Sequence, residues 1–246
     1  MKRKLSVWMR ISGIVSAVIA ITAAECIAWK TADTGVVPTV VAPRPDGSIQ
    51  IDGRTAESAW RQAPRLVLKD NQTGAKSAQR TFVRVLADKS YLYAAFDCAD
   101  MQAMATLTTR DDNLWREEVV ELFFDPTGEG KRYLEIEVNP LGTLFDAWIR
   151  FGPDIDFDKA KQFNLSGVRV ATRIQRRSID PPRDDGWSCE IAIPLDELPD
   201  RAGPGARINF ARVDRIDGRH VYDAWSPTFK WFHVPDRFGR FRLSGR

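Results

Sequence analysis

Beyond residue 80 the chain is cut into short runs rich in β-branched and aromatic residues. Glycine-, proline- or aspartate-containing turns separate them, and almost no segment has a helical period. Arg80–Ala87 (RTFVRVLA) and Tyr91–Cys98 (YLYAAFDC) flank the tight turn Asp88–Ser90 and read as a hairpin. Further strands are expected at Glu118–Asp125, Tyr133–Asn139, Thr143–Phe151, Val168–Arg176, Trp187–Pro194, Arg207–Val213 and Phe238–Leu243. Upstream, Ser48–Gly53 reads as a short strand ending in a turn, and Glu57–Ala63 as a helical turn anchored by Trp60. Leu195–Leu198 reads as one more helical turn, and Val221–Trp225 leads into a proline-containing loop. Asp154–Ser166 and Ser178–Gly186 are polar and irregular and read as loops. A chain of about ten short strands without helices to cover them closes as an all-β, antiparallel, jelly-roll-like β-sandwich.

The stretch Asp111–Asp125 (DDNLWREEVVELFFD) constrains the site most. Glu118, Val120, Leu122 and Phe124 share one face of the strand, and Val119, Glu121, Phe123 and Asp125 the other. Both faces are largely apolar, so both are expected to be covered. Glu121 then sits among apolar neighbours and requires a partner, because an unpaired buried charge is costly. In Tyr133–Asn139, Leu134, Ile136 and Val138 face the core, and Glu135, Glu137 and Asn139 face the other way. A loop aromatic, Trp115, beside a partnered carboxylate can build a sugar site: a flat apolar platform with hydrogen-bonding groups next to it. The same residues also fit a core tryptophan and a structural ion pair.

At the start, Met1–Lys4 (MKRK) is basic and Ile11–Ala24 is apolar over the length of a signal peptide. Residues 1–30 read as a signal peptide or N-terminal anchor, 31–46 as a linker or leading strand, and 47–246 as one domain. An exported protein is expected: periplasmic, cell-surface or secreted. Net charge is only +3 with dispersed basic residues, which argues against a nucleic-acid partner. Two histidines exclude a multi-histidine metal centre. Of the three cysteines, Cys26 falls at the targeting segment. Cys98 and Cys189 could pair on export but read better as buried free thiols.

Several pieces, in order, resemble the family 9 carbohydrate-binding modules. They are Ile51-Asp52-Gly53 followed by Glu57 and Trp60; Val85-Leu86-Ala87-Asp88 then Tyr91-Leu92-Tyr93; Trp115 then Val120–Asp125; and Glu137-Val138-Asn139-Pro140. Trp187 with Glu190–Pro194, Asn209-Phe210, Trp225-Ser226-Pro227, Pro235 and Phe238-Gly239 complete the set, which spans about residues 48–244. The resemblance implies a non-catalytic sandwich in which two aromatics clamp a sugar and polar side chains read its hydroxyls, in the service of polysaccharide breakdown or uptake. By position the clamp falls on Trp115 and Phe232, with Trp231 adjacent, and the polar positions on Glu121 and Asn139. Glu137 stands where sugar-binding members have arginine, Ala211 where they have glutamine, and Phe229 at a polar loop position, so the hydrogen-bonding set is altered.

The segment Trp225–Pro235 packs four aromatics and a histidine into one loop, which points to a ligand or partner surface at Trp231 and Phe232, or else to a loop folded onto the sandwich end with its aromatics plugging the core. His233 fits as a hydroxyl partner. Arg212 shares a face with Phe210 and is expected as the buried partner of a carboxylate such as Glu121. Glu121 and Glu137 form the one attractive carboxylate pair for hydrolysis, and no catalytic motif accompanies them. No cofactor is expected; acidic loop residues such as Asp154, Asp156 and Asp158 could ligate calcium through oxygen, but they read better as a solvated acidic loop. Two alternatives stand beside a saccharide ligand. One is a haem-binding sandwich using Met101 or Met104 with His220 or His233. The other is an envelope interaction module without sugar binding. A monomer is expected, with no membrane association beyond the N-terminal segment.

Overall fold

The computed structural model describes residues 35–179 and 182–245. The expected signal segment and Cys26 lie outside them.

Two sheets form the domain. In the first, strands run in the order β1 (Thr39–Ala42), β13 (Gly239–Leu243), β11 (Arg207–Ile216), β6 (Val119–Asp125), β7 (Arg132–Val138) and β8 (Leu144–Arg150). β12 (Arg219–Ala224) pairs with the far half of β11 and with the two-residue β3 (Lys69–Asp70). The second sheet runs β2 (Leu66–Val67), β4 (Thr81–Ala87), β5 (Tyr91–Cys98), β10 (Pro182–Pro194) and β9 (Arg169–Ile179). Pairing is antiparallel except for β1 beside β13. The segment expected as linker or leading strand thus contributes β1, which buries Val40 and Ala42.

The period-two pattern sets which residues meet between the sheets. Val120, Leu122 and Phe124 from β6 and Leu134, Ile136 and Val138 from β7 share one core with Val83, Phe96 and Ile191 of the other sheet. Cys98 and Cys189 lie in that core as free thiols, and burial pushes both above the ordinary thiol range. The outer face of the first sheet is also covered. Val119, Phe123, Tyr133 and Phe145 pack there under Leu114, Phe232 and Phe238. The helical turn α1 (Ser58–Arg61) brings Trp60 to a third, smaller cluster with Leu86 and Ala192.

Four expectations change. Ser48–Gly53 is not a strand. Its backbone turns to hook a buried carboxylate: Asp52 and Gly53 N–H each donate to Glu190 Oε2 at 2.9 Å, and Trp60 Nε1 donates to Oε1 at 2.7 Å. Gly53 has φ +80° and a Cβ there would sit 2.8 Å from the Thr172 backbone, so only glycine fits. The loop expected at Ser178–Gly186 is largely strand, because β9 and β10 extend toward each other with register shifts between Arg183 and Gly186. Bulges absorb an irregular sequence without ending the pairing, and Pro182 opens its strand where no donor is needed. Asp154–Ser166 contains one helical turn, α2 (Phe157–Ala160), whose N-cap Asp156 accepts from Lys159 N–H at 3.1 Å. Leu195–Leu198 is a non-helical turn.

Candidate functional site

The site stands on the outer face of the first sheet. Register places Glu121 directly opposite Glu137, and Glu135 two residues along β7 on the same face. On the other flank of Glu121 the register residue is Ala211, whose small side chain leaves space above the carboxylates. A cavity of about 460 Å³ opens over them, within the size of small-molecule sites.

Loops supply its walls. A 3₁₀ turn at Leu114–Arg116 buries Leu114 and leaves Trp115 39% exposed. The Trp115 ring rests edge-on against Phe145, 6.1 Å between centroids, and lies 6.4 Å from Phe157 of α2. Its backbone N–H donates to Glu137, tying wall to floor. The β12–β13 connection supplies Trp231, 53% exposed, then Phe232 and His233. That connection is pinned by Asn71, which follows β3. Asn71 Nδ2 donates to Lys230 O at 2.6 Å, and Thr228 N–H and Oγ1–H donate to Asn71 Oδ1 at 2.8 and 3.0 Å. Phe229 adopts φ 60°, a left-handed conformation that a bulky residue holds only when its surroundings fix it. The anchor is its N–H, donating to Asn71 O.

Burial dominates the electrostatics. Glu121, Glu135 and Glu137 are nearly inaccessible and offer carboxylate oxygens within 4.8 Å of one another. Loss of water pushes Glu121 up to about 8. Glu135 is held well above the usual carboxylate range by burial and then by Glu121, and Glu137 by burial, then Glu121 and Glu135. His233 is pushed down to about 4 by burial and is neutral at pH 7. Its Nδ1 lies 2.8 Å from Tyr133 Oη and its Nε2 3.4 Å from Glu135 Oε1. Burial raises Tyr133 too, so the phenol keeps its proton and shares one hydrogen bond with Nδ1. With the histidine neutral, its approach to Glu135 is a neutral contact rather than an ion pair.

The structure brings Trp115, Glu121, Glu137, Trp231, Phe232 and His233 to this pocket. Phe232, the expected second clamp aromatic, is 8% exposed and packs on Phe123 and Tyr222, so Trp231 presents the open face. Asn139 does not line the pocket. It is fully buried and closes the β7–β8 turn, donating to Leu107 O at 2.8 Å and accepting from Leu141 and Thr143 N–H. Arg212 is not the partner of Glu121. It pairs across the ladder with Val120, so it points to the inner layer, where it meets Asp100 at 2.6 Å and Asp214 at 3.1 Å. Glu135, Asn71, Gln72, Phe157 and Tyr222 also line the cavity. Strand alternation placed Glu135 on the correct face, whereas nothing local marks the other four.

The remaining candidates disperse. Asp156 caps α2 and Asp158 pairs with Lys161 at 3.1 Å, while the buried acidic clusters of the described residues lie elsewhere. Met101 and Met104 are exposed on the loop after β5, and neither lines the cavity holding His233. His220 lies on β12 against Tyr222. Among the described residues no helix is long and apolar enough to cross a membrane.

No curated protein matches the chain. Solved structures do. A candidate carbohydrate-binding protein from Bacteroides uniformis ATCC 8492 superposes with TM-score 0.67 at 16% identity, covering 85% of this chain and all of that one. A carbohydrate-binding module of family 9 from Caldicellulosiruptor kristjanssonii, in complex with cellotriose, superposes at TM-score 0.61 and 17% identity, covering 85% and 94%. The same organism's module in complex with glucose gives TM-score 0.60 at 16% identity, covering 85% and 96%. At these identities the likeness establishes the fold. The family profile described as carbohydrate family 9 binding domain-like matches residues 51–246, and the chain belongs to that family.

Proposed function

We propose that this protein is a non-catalytic carbohydrate-binding module that stacks a sugar unit on Trp115 and Trp231 above the Glu121–Glu135–Glu137 floor. One observation carries the reading: two tryptophans that remain substantially exposed border a single cavity whose base is polar. Rings left in water gain by covering the apolar face of a sugar, and the base supplies hydrogen-bonding groups for its hydroxyls. Family 9 relatives of the same fold have been captured with cellotriose and with glucose, which supports a saccharide as the ligand class.

Hydrolysis is disfavoured by placement. Glycosidase carboxylates flank the scissile bond, whereas Glu121 and Glu137 are cross-strand neighbours on one sheet face. The basic start and apolar run at Ile11–Ala24 support export, where such a module would serve polysaccharide capture for breakdown or uptake.

Titration of wild-type protein with glucose and with cello-oligosaccharides, followed by tryptophan fluorescence, tests the proposal. A saturable change is expected, and it should be lost in Trp231→Ala without a change in melting temperature. Silence across neutral sugars and amino sugars alike would overturn it and favour an interaction module.

A further inference from the structure

The pocket floor carries more acid than a neutral sugar can use. Glu121, Glu135 and Glu137 are each no more than 3% exposed, and their carboxylate oxygens lie within 4.8 Å of one another. Glu135 Oε2 and Glu137 Oε2 are buried and have no hydrogen-bond partner among the described residues. Both side chains line the cavity. Such orphaned acceptors carry a desolvation cost that a bound donor would relieve.

The groups around the trio supply no compensating charge. His233 faces Glu135 but is neutral, and Tyr133 behind it is spent on His233 Nδ1. Tyr222 approaches from β12 beside Phe232. Lys230 lines the cavity from an exposed position, and among the described residues it forms no ion pair with the three glutamates. The influences that hold Glu135 and Glu137 up are burial and the neighbouring glutamates, with no lysine or arginine opposing them.

We propose that the pocket selects a sugar ring bearing a protonated amine, a hexosamine unit of the glucosamine kind, with its ammonium seated on Glu121, Glu135 and Glu137 and its ring against Trp115 and Trp231. This rests on the carbohydrate reading above and names its ligand class. An ammonium carries three donors and no acceptor, which complements a cluster whose oxygens all become acceptors once their protons are released, whereas a hydroxyl brings one donor. Charge-assisted bonds to carboxylates are the strong kind, and aromatic faces beside the cation add to them. A divalent cation fits less well. Calcium wants six to eight oxygens, and beyond the trio the cavity is lined mostly by rings, an imidazole and a lysine. The cavity is also of organic-ligand size.

Because Glu121 is pushed up to about 8 by burial, it holds its proton near neutrality; seating an ammonium displaces that proton, and binding is coupled to proton release.

Isothermal titration of the full protein with glucosamine, glucose, N-acetylglucosamine and calcium chloride, at pH 7 in buffers of different ionisation heat, tests this. Glucosamine should bind about tenfold or more tightly than either neutral sugar. Its apparent heat should depend on the buffer, reporting proton release. In Glu135→Gln and in Glu137→Gln the ratio of glucosamine to glucose affinity should fall toward one. If glucose binds as well as glucosamine in wild type, the amine selection is wrong while the carbohydrate reading stands. If calcium binds and competes with glucosamine, the trio is a metal site and the inference is overturned. If no saccharide binds, the carbohydrate reading itself fails.

Discussion

Two clusters of three buried carboxylates lie against opposite faces of the first sheet, and they are built differently. On the inner face, Asp100, Glu118 and Asp214 surround Arg212, whose guanidinium also donates to Ala99 O at 2.9 Å and Thr81 Oγ1 at 3.2 Å. Backbone N–H groups finish the set: Gln102 donates to Asp100, Met104 to Glu118 and Arg215 to Asp214. On the outer face, Glu121, Glu135 and Glu137 have a neutral histidine, one backbone donor and a cavity. The first cluster holds its counter-charge within the protein, although Glu118 Oε1 and Arg212 Nε have no hydrogen-bond partner among the described residues. The second is left for something from outside to close. Buried acids therefore mark a site only after their partners have been counted, since two similar triads here have opposite standing.

The sharpest way to break the comparison is to remove the cation. Arg212→Met leaves three buried acids without their counter-charge, and we expect a loss of about 3–5 kcal/mol in urea denaturation. Glu137→Gln should cost far less. Equal losses would mean that the two clusters are energetically alike.

Next come the aromatics of the outer site. Phe232→Ala removes a ring packed on Phe123 and Tyr222 and should destabilise by about 3 kcal/mol. Trp115→Ala should instead cost about 1–3 kcal/mol of saccharide affinity, read by titration, while the melting temperature stays near wild type. A large thermal loss in Trp115→Ala would make that ring part of the core rather than a ligand platform.

A smaller effect concerns pH. Glu121 is raised from 4.5 to about 8 in the folded protein. Between those values the native state keeps a proton that the unfolded chain has released, so stability falls as pH rises. His233 works in the opposite sense, but only between about 4 and its ordinary 6.5. The clean window is therefore pH 6.5 to 8. Glu118, raised to about 8, and Glu190, raised to about 7, add to the same decline. Comparison with a variant isolates the outer trio: Glu121→Gln should flatten the fall across that window by roughly 1 kcal/mol. An unchanged slope would show that Glu121 is ionised in the fold. The same substitution should be neutral or slightly stabilising at pH 8, because it removes a charge that has no counter-charge.

Much of this was legible before any coordinates. Alternation in Glu118–Asp125 and Tyr133–Asn139 separated the two faces, and the inner and outer clusters follow it residue by residue. Trp115 stood out because it precedes a strand on a polar loop. What stayed hidden depends on register and distant partners. Alternation says which face a side chain takes, not which residue stands opposite. Alternation therefore leaves Arg212 open as a partner for Glu121, although it pairs with Val120 and points to the other layer. Asn71 holds a loop about 160 residues away in the sequence, and no local pattern announces such a contact. Asn139 was chosen by family position, and its geometry is that of a turn-closing residue. Ser48–Gly53 carries apolar residues at strand spacing, yet the demand of buried Glu190 for donors overrides that preference.

The most direct measurement is a crystal structure of the protein grown with glucosamine. The account predicts one sugar ring over the outer glutamates, faced by Trp115 and Trp231, with its nitrogen within hydrogen-bonding distance of Glu135 and Glu137. A sugar ring seated elsewhere, as in the groove lined by Arg54, Arg173 and Arg176 with the outer pocket holding only water, would contradict it.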